Sequence, residues 1–279
     1  MAIGDPVNLA LGIAILIVAV AAAISAMLFV RRRAPEGSFF SDGDRASGVF
    51  GVLATGFAIF AGFVIFLAFT TYDQSRAGAE AEALLVVQQF ETAQFLAPET
   101  RDRLSGEIVC YGRSVVALEW PKMKDGSVDA INPWGLALFR TTRATNPSGT
   151  VQETAFAKWL DQTSDREEAR RDRVHGAAGI TPTTIWVVLL LSAAIVFCFM
   201  LFFADPAEMK RSQAMLVGSA TTVVVVTLLA IFALDNPYRP GLGSIEPVAM
   251  ERSLRTLDEA RADLGITTEL PCDEQGGPR

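Results

Sequence analysis

The chain has few residues that could form a catalytic or metal-binding site. His175 is its only histidine, so nearly every metal site or nucleophile–base pair built on histidine is excluded. The sequence contains neither a P-loop nor a GxGxxG motif. Its 31 acidic residues are scattered, and we place them on exposed faces of the predicted helices. The sequence therefore predicts no enzyme, no metal site and no cofactor.

The clearest chemical pattern lies in an apolar stretch, residues 46–71. Small residues recur there at spacings of four, three and four, at Gly51, Thr55, Ala58 and Gly62. Small residues let two helices approach closely in lipid, where no hydrophobic force drives association. We therefore predict that Gly51, Ala58 and Gly62 are helix-packing positions.

Phenylalanine recurs every third residue in the same stretch, so its side chains wind around the predicted helix. Some of these rings could form an apolar constriction that gates a pore by dewetting. The candidate pore-lining residues are Thr55, Phe57, Phe60, Phe63 and Phe66. For any single phenylalanine, a ring that faces lipid is the simpler alternative.

A charged cluster is predicted at one membrane face. Asp73 and Arg76 follow the apolar stretch, and Asp235 follows the last apolar stretch of the chain. Both helices leave the bilayer on the same side, so we predict that Arg76 contacts Asp235. The alternatives are a pair between Arg76 and Asp73 within one helix, or independent hydrated charges worth under about 1 kcal/mol.

The three cysteines bear on the compartment. Cys110 and Cys272 lie on the same side of the membrane in a four-span topology, whichever side that is. On an oxidising side a disulfide bond between them is possible, and two separate free thiols are equally compatible with the sequence. Cys198 lies inside an apolar stretch and is predicted to act as a small apolar residue.

Four windows without Asp, Glu, Lys, Arg or His account for the 51% hydrophobic content: Val7–Val30, Ala46–Thr71, Thr184–Phe203 and Ala214–Leu234. Each is long enough to cross the hydrocarbon core, which takes roughly 20 residues. The alternative for the first window is a cleaved signal peptide, but its basic residues follow the apolar run. The net charge of −7 argues against a nucleic-acid partner.

We therefore predict an all-α integral membrane protein with four transmembrane helices. Residues 1–72 hold the first two, 73–181 form a helical extramembrane domain, 182–234 hold the last two, and 235–279 carry a C-terminal helix docked on that domain. Residues 46–96 are predicted to form one long helix that crosses the bilayer and continues into water. The run Asp165–Arg173 alternates in charge and indicates a solvated helix face.

The short loops predict the topology. Arg31, Arg32 and Arg33 follow the first window, and Lys210 and Arg211 lie between the third and the fourth. The positive-inside rule places both loops in the cytoplasm, so both termini and the large domain are predicted to be extracytoplasmic. Further arginines near the span ends on the other side weaken this rule here.

Several short motifs lie in this order along the chain: the run Gly56–Val64, Tyr72-Asp73, Glu80–Leu84, Glu119-Trp120, and Leu234–Tyr238 through Pro247. Over roughly residues 48–257 these motifs resemble the bestrophin-like domain family, a bacterial and plant family formerly described only as a domain of unknown function. The resemblance implies kinship to bestrophins, which are pentameric anion channels. Their subunits have four spans, with a helical domain between spans two and three and a pore lined by span two.

By this resemblance we expect a homo-oligomeric, pentameric ion channel in a bacterial inner membrane, with membrane lipid and inorganic ions as its partners. Two features differ from bestrophins. The helical domain of bestrophins is cytoplasmic, whereas here it is predicted to be extracytoplasmic. Bestrophins conduct anions, whereas the acidic water-exposed part of this chain would attract cations. The alternative function is a non-conducting membrane scaffold or sensor whose extramembrane domain binds a partner.

Overall fold

The computed structural model describes residues 6–36, 38–127, 132–179, 181–241 and 243–279. Within these ranges the regular structure is helical, and the β-type pairing is one isolated bridge between Cys272 and Pro278. A π-helical segment, Val115–Glu119, joins the third helix to the fourth. The α-helices are α1 Pro6–Arg31, α2 Gly43–Ala93, α3 Pro98–Ser114, α4 Trp120–Lys124, α5 Pro133–Ala144, α6 Thr150–His175, α7 Thr183–Leu201, α8 Lys210–Asp235 and α9 Val248–Asp263.

Four of these helices, α1, α2, α7 and α8, are long and apolar enough to cross a membrane. The predicted all-α membrane fold with four spans is confirmed. The long helix is also confirmed, since α2 is continuous over 51 residues and extends well past the apolar stretch. The amino terminus, which is predicted to be extracytoplasmic, lies outside the described residues.

The chain divides into two compact units. The membrane unit comprises the described residues of Met1–Thr70, Ile180–Asp235 and Pro240–Gly243. The helical unit comprises those of Thr71–Gly179, Asn236–Arg239 and Ser244–Arg279. Helix α2 therefore contributes its first half to one unit and its second half to the other.

The membrane unit is held together by two apolar clusters. In one, Phe57 and Val64 of α2 are buried with Leu189 of α7 and Ile231 of α8. In the other, α1 packs on α7 and α8 around Ala23, Met27 and Val217. Because no hydrophobic force drives association in lipid, close van der Waals packing is what stabilises these clusters.

The helical unit has a larger core that includes the second half of α2. Val86 and Phe90 of α2 are buried with Ile108 of α3 and Trp159 of α6. The C-terminal helix α9 closes this core through Leu257 and its neighbours, so the predicted docking of a C-terminal helix on this domain is confirmed. Glycine at position 112 lets α9 pack closely, because a Cβ atom there would lie 3.0 Å from the Cδ2 atom of Leu254, which would have to shift.

Candidate functional site

One face of α2 packs inside the membrane unit. Phe57, Ala61, Val64 and Ala68 are buried and recur at spacings of four, three and four, as expected for one stripe of an α-helix. Phe57 is only 8% exposed and belongs to the cluster that contains Leu189 and Ile231. This stripe is therefore occupied by packing within one protomer.

The structure contradicts the pore-lining prediction for Phe57 and limits it for Phe60, which packs partly against the same cluster. The reason is the period of the pattern. A helix turns by about 100° per residue, so positions three apart are rotated by about 60° in total relative to each other. Over the nine residues from Phe57 to Phe66 the ring position moves from the inward face to the opposite one.

The opposite face of α2 points away from the rest of the protomer. Phe63 and Phe66 are 66% and 62% exposed. A Cβ atom built on Gly51 or Gly62 would meet no atom within 4 Å, so these glycines are open to another chain. The predicted residues on this outward face are Gly51, Thr55, Ala58, Gly62, Phe63 and Phe66, all exposed in the protomer.

The exposed side of α2 is charged in the helical unit. Asp73, Arg76 and Glu80 are all exposed. The Nε atom of Arg76 lies 3.2 Å from an Oε atom of Glu80, one turn further along the helix. Arg76 therefore has an ion-pair partner on its own helix, and this partner is Glu80 instead of the Asp73 that we considered.

Asp235 ends α8 in the membrane unit. Its carboxylate accepts hydrogen bonds from the backbone N–H of Thr181, at 2.7 Å, and from the indole N–H of Trp186, at 3.3 Å. This places the carboxylate beside the start of α7. The predicted contact between Asp235 and Arg76 stays a prediction.

A buried cluster of charges lies in the helical unit. Its centre is Arg173 of α6, which is fully buried together with Glu82 of α2 and Glu119 of the π-helical segment. The guanidinium donates two hydrogen bonds to the Glu82 carboxylate and one, at 2.8 Å, to the Glu119 carboxylate. Arg170 adds a second cation, 3.3 Å from the same oxygen of Glu119. Two carboxylates thus face two guanidinium groups, and we name these four residues the Arg173 cluster.

Aromatic side chains surround the Arg173 cluster. The hydroxyl of Tyr111 donates to Glu82 at 2.5 Å, and the hydroxyl of Tyr238 donates to the backbone carbonyl of Arg173 at 2.5 Å. The Trp120 ring lies 5.4 Å from the guanidinium carbon of Arg173 and meets the Tyr238 ring edge to face at 5.6 Å. These contacts leave the arginine with a single orientation.

The protonation states follow from burial and from the paired charges. Burial alone would lower the pKa of Arg173, but the carboxylates of Glu82 and Glu119 outweigh burial and raise it. Burial also raises the pKa values of Tyr111 and Tyr238, so both hydroxyls remain protonated donors. At neutral pH the guanidinium of Arg173 is therefore charged, and the neighbouring phenols of Tyr111 and Tyr238 are neutral.

A second buried arginine continues this polar layer. The Nη1 atom of Arg166 donates to the side-chain oxygen of Gln89 at 2.9 Å, and the Gln89 amide donates to Thr163 at 2.9 Å. The guanidinium of Arg166 also lies 4.5 Å from the centre of the Tyr111 ring. Helices α2, α3 and α6 are thus joined by polar contacts as well as by apolar ones.

The charge pattern of the sequence does not predict this buried arrangement. The run Asp165–Arg173 was predicted to be a solvated face, which is wrong for Arg166 and Arg173. The expectation that the acidic residues lie on exposed faces is wrong for Glu82, Glu107, Glu119 and Asp235. A usable signal was present, because both arginines share one helical stripe with buried neighbours: Trp159, Gln162, Arg166, Ala169 and Arg173.

Residues that carry the family resemblance meet at this cluster. Glu82 comes from one motif, Glu119 and Trp120 from a second, and Tyr238 from a third. The π-helical turn before Trp120 ends at Glu119, and such turns frequently mark functional sites. The cluster ties α2 to α6, to the π-helical segment and to the chain after α8, so it fixes the position of the second half of α2.

The tail is attached to the same unit. Cys110 of α3 and Cys272 form a disulfide bond, and both residues are fully buried. Trp134 donates a hydrogen bond of 2.7 Å to the carbonyl of Gly276. Gly276 has a φ of +80°, and a Cβ atom there would lie 2.4 Å from the backbone nitrogen of Ser114, so only glycine fits.

Among the residues that the structure describes, none form a group of three or more His, Cys, Asp or Glu side chains that could hold a metal ion. Cys198, which does not take part in the disulfide bond, is exposed on α7. The predicted small apolar role of Cys198 is compatible with a surface that faces lipid.

Comparisons with known proteins give a family and a fold. A family model described as "Bestrophin-like domain" matches residues 17–250. A crystal structure of a bacterial bestrophin homolog from Klebsiella pneumoniae is 12% identical, with a TM-score of 0.67 over 91% of this chain and 98% of the homolog. A structure described as that of a membrane protein variant is also 12% identical, with a TM-score of 0.69 over 88% of this chain and 98% of that one. A search of curated proteins finds no match.

Proposed function

The chain belongs to the bestrophin-like domain family, and from this premise we propose that it is the subunit of a homo-oligomeric ion channel in a bacterial inner membrane. In this proposal the second transmembrane helices of the copies line the pore, and kinship to bestrophins supports a ring of five copies. The observation that carries the proposal is the outward face of α2, which packing within the protomer leaves exposed.

An oligomer is needed because ions require a hydrated path. The spans of one protomer pack through apolar side chains, whereas a symmetric ring of copies encloses a path along its axis. Open glycines such as Gly62 allow neighbouring α2 helices to approach closely. Phe63 and Phe66 then supply an apolar constriction, and Thr55 supplies a hydroxyl. Phe57 is not part of this lining.

The permeant ion is the finer part of the proposal. Kinship to bestrophins favours anions. The exposed side of α2 in the helical unit carries Asp73 and Glu80 against Arg76, and the whole chain has a net charge of −7, which favours cations. The reversal potential of reconstituted protein in a KCl gradient decides between the two, since its sign differs for K⁺ and Cl⁻.

We propose that the helical unit and both termini are extracytoplasmic. Arg31 ends α1, Arg32 and Arg33 follow it, and Lys210 and Arg211 begin α8, so the positive-inside rule assigns this side to the cytoplasm. The disulfide bond in the helical unit supports the same orientation, because such bonds persist in oxidising compartments.

The assembly is tested with a matched pair of glycine substitutions. Gly62→Leu places a large side chain on the outward face of α2, and Gly12→Leu does the same on α1, where a Cβ atom is equally unobstructed. We expect Gly62→Leu to dissociate the oligomer, as measured by light scattering in mild detergent, and Gly12→Leu to leave its mass unchanged. A monomeric wild-type protein in several mild detergents would remove the pore proposal.

Conduction is tested by ion flux into liposomes. We expect Phe66→Ala to increase the flux by widening the constriction, while Phe29→Ala, at an exposed ring of α1, leaves it unchanged. An oligomer of the expected mass that passes neither K⁺ nor Cl⁻ would contradict the channel and favour the second candidate.

The second candidate is a non-conducting scaffold or sensor. A surface groove of about 430 Å³ in the helical unit favours it, since exposed Phe95 and Val151 line the groove together with Lys158. An apolar groove with one cation suits a partner segment with apolar and acidic residues. Retention of the oligomer without flux is the result that distinguishes this function from a channel.

A further inference from the structure

A second groove, of about 420 Å³, lies within the membrane unit between α1, α7 and α8. The wall formed by α1 consists of alanines at helical spacing, Ala19, Ala22, Ala23 and Ala26. Their methyl groups are too short to fill the space that faces them. The opposite walls are formed by Ala193, Ala194, Val196, Phe197 and Met200 of α7, and by Ala220, Thr221, Val224 and Val225 of α8.

The chemistry of the walls selects a hydrocarbon occupant. Thr221 is the one lining residue with a polar side chain, and its hydroxyl donates to the backbone carbonyl of Val217 at 2.7 Å. That hydroxyl is therefore already engaged within its own helix. A polar or charged ligand would lose its hydration in this groove without gaining hydrogen-bond partners. Moving a polar group from water into such apolar surroundings costs on the order of several kcal/mol.

One end of the groove approaches a set of cations. Ala26 lies five residues before Arg31, or about 8 Å along a helix. Arg31 is buried and donates to the side chain of Gln213 and to the carbonyl of Pro206, both at 2.8 Å. These bonds hold the end of α1 against the start of α8, so the basic residues of both helices lie at the same end of the membrane unit.

The remaining cations at this end are available. Arg32, Lys210 and Arg211 are exposed, and within the described ranges none of them forms an ion pair with the protein. Asp205 accepts from the backbone of Ala207 and Glu208 accepts from Ser212, and both keep their negative charge. The three exposed cations outnumber these two carboxylates.

We propose that this groove is a binding site for an anionic glycerophospholipid. One acyl chain lies in the alanine-lined groove between α1, α7 and α8, and the phosphate group interacts with Arg32, Lys210 and Arg211. The geometry matches a lipid of the leaflet on this side, whose charged group and acyl chain lie at successive depths in the bilayer. The site does not depend on whether the protein conducts ions.

The test uses delipidated, purified full-length protein in mild detergent, titrated with phosphatidylglycerol or, as the neutral probe, phosphatidylcholine. Thermal stabilisation gives the half-saturating lipid concentration. Ala22→Phe fills the groove, and Ala21→Phe adds the same ring to the neighbouring exposed position outside it. We expect Ala22→Phe to raise the half-saturating concentration of phosphatidylglycerol at least tenfold and Ala21→Phe to leave it within twofold.

The charged end is tested separately, so a folding defect of Ala22→Phe would not decide the question. We expect Arg32→Gln combined with Lys210→Gln to reduce binding of phosphatidylglycerol to the level of phosphatidylcholine, and Arg45→Gln, at an exposed arginine of α2, to change nothing. Three results would overturn the proposal. The first is equal binding of both lipids to the wild type, and the second is equal weakening of phosphatidylglycerol binding by Ala22→Phe and Ala21→Phe. The third is a change in oligomer mass with Ala22→Phe while lipid binding is unchanged, which would assign the groove to a second copy of the chain.

Discussion

The substitution Arg173→Met tests the buried charge cluster of the helical unit. Methionine retains most of the length of the side chain but removes the guanidinium that pairs with Glu82 and Glu119. Both carboxylates are at most 1% exposed, so water cannot replace the lost cation without local opening. Arg170 still faces Glu119, which leaves Glu82 as the carboxylate without a cation among these four residues.

The expected magnitude follows from burial. Removing one partner of a buried ion pair costs about 3–5 kcal/mol, because the other charge remains in a medium of low polarity. The matched control is Arg76→Met, which breaks a pair whose side chains are 60% and 61% exposed. An exposed pair of this kind is worth under about 1 kcal/mol.

The assay is thermal unfolding in detergent, followed by tryptophan fluorescence, since Trp120 lies beside Arg173. For a protein of this size the unfolding temperature changes by roughly 2–4 °C per kcal/mol. Arg173→Met should therefore lower it by roughly 6–20 °C, and Arg76→Met by less than about 4 °C. Adding Glu82→Gln to Arg173→Met should recover part of the loss, because it removes the carboxylate left without a cation.

Two outcomes would refute this reasoning. If Arg173→Met costs no more than Arg76→Met, the guanidinium does not neutralise buried charge. If Glu82→Gln and Arg173→Met add their separate effects without coupling, the two residues do not interact in the folded protein.

Three further predictions concern other parts of the chain. Burial raises the pKa of Glu107, so the folded state favours the neutral carboxyl, and this stabilisation is lost as pH rises through the raised pKa. Glu107→Gln should therefore raise the unfolding temperature at pH 8 and leave it unchanged near pH 4. A lower unfolding temperature at pH 8 would contradict this. Cys110→Ser should lower stability by about 2–4 kcal/mol, and the wild type treated with reductant should show the same loss in thermal unfolding. The predicted topology is tested in a Cys198→Ser background with an impermeant thiol reagent on intact cells. Glu36→Cys, in the loop predicted to be cytoplasmic, should not react, and Asp125→Cys, in the helical unit, should react; both should react after permeabilisation. The reverse pattern would place the helical unit in the cytoplasm.

The membrane spans could be predicted because their physical cause is local. A charge-free window of about 20 residues has few other stable locations, so composition alone located α1, α7 and α8. The continuity of α2 was equally local, since no proline interrupts it and the buried stripe through Val86 and Phe90 keeps the helical period beyond the bilayer.

The orientation of the phenylalanine series could not be predicted in the same way. Its period of three places the rings on all sides of α2, and the choice of inward face depends on where Leu189 and Ile231 lie. These residues come from α7 and α8, more than a hundred positions away, and nothing in the α2 sequence marks Phe57 as different from Phe66.

The buried arginines were missed for a related reason. Arg166 and Arg173 lie among alternating charges, a composition that usually indicates a solvated surface. Their burial depends on Gln89 and Glu82, which come from α2, and on a π-helical turn that reorients Glu119. The helical stripe that these arginines share with Trp159 indicates burial, but the alternating charges around them indicate a solvated face.

The disulfide bond between Cys110 and Cys272 joins residues that are 162 positions apart. The segment between them contains α7 and α8, so the covalent ring that the bond closes crosses the bilayer twice. Synthesis proceeds from the amino terminus, and Cys272 emerges only after both helices have been made. With the helical unit outside the cytoplasm, the two thiols meet only once the fourth helix has delivered the tail across the membrane. The oxidised bond is then a covalent record that the tail has reached the side of the helical unit, and a chain in which α7 inserts but α8 does not carries both thiols reduced.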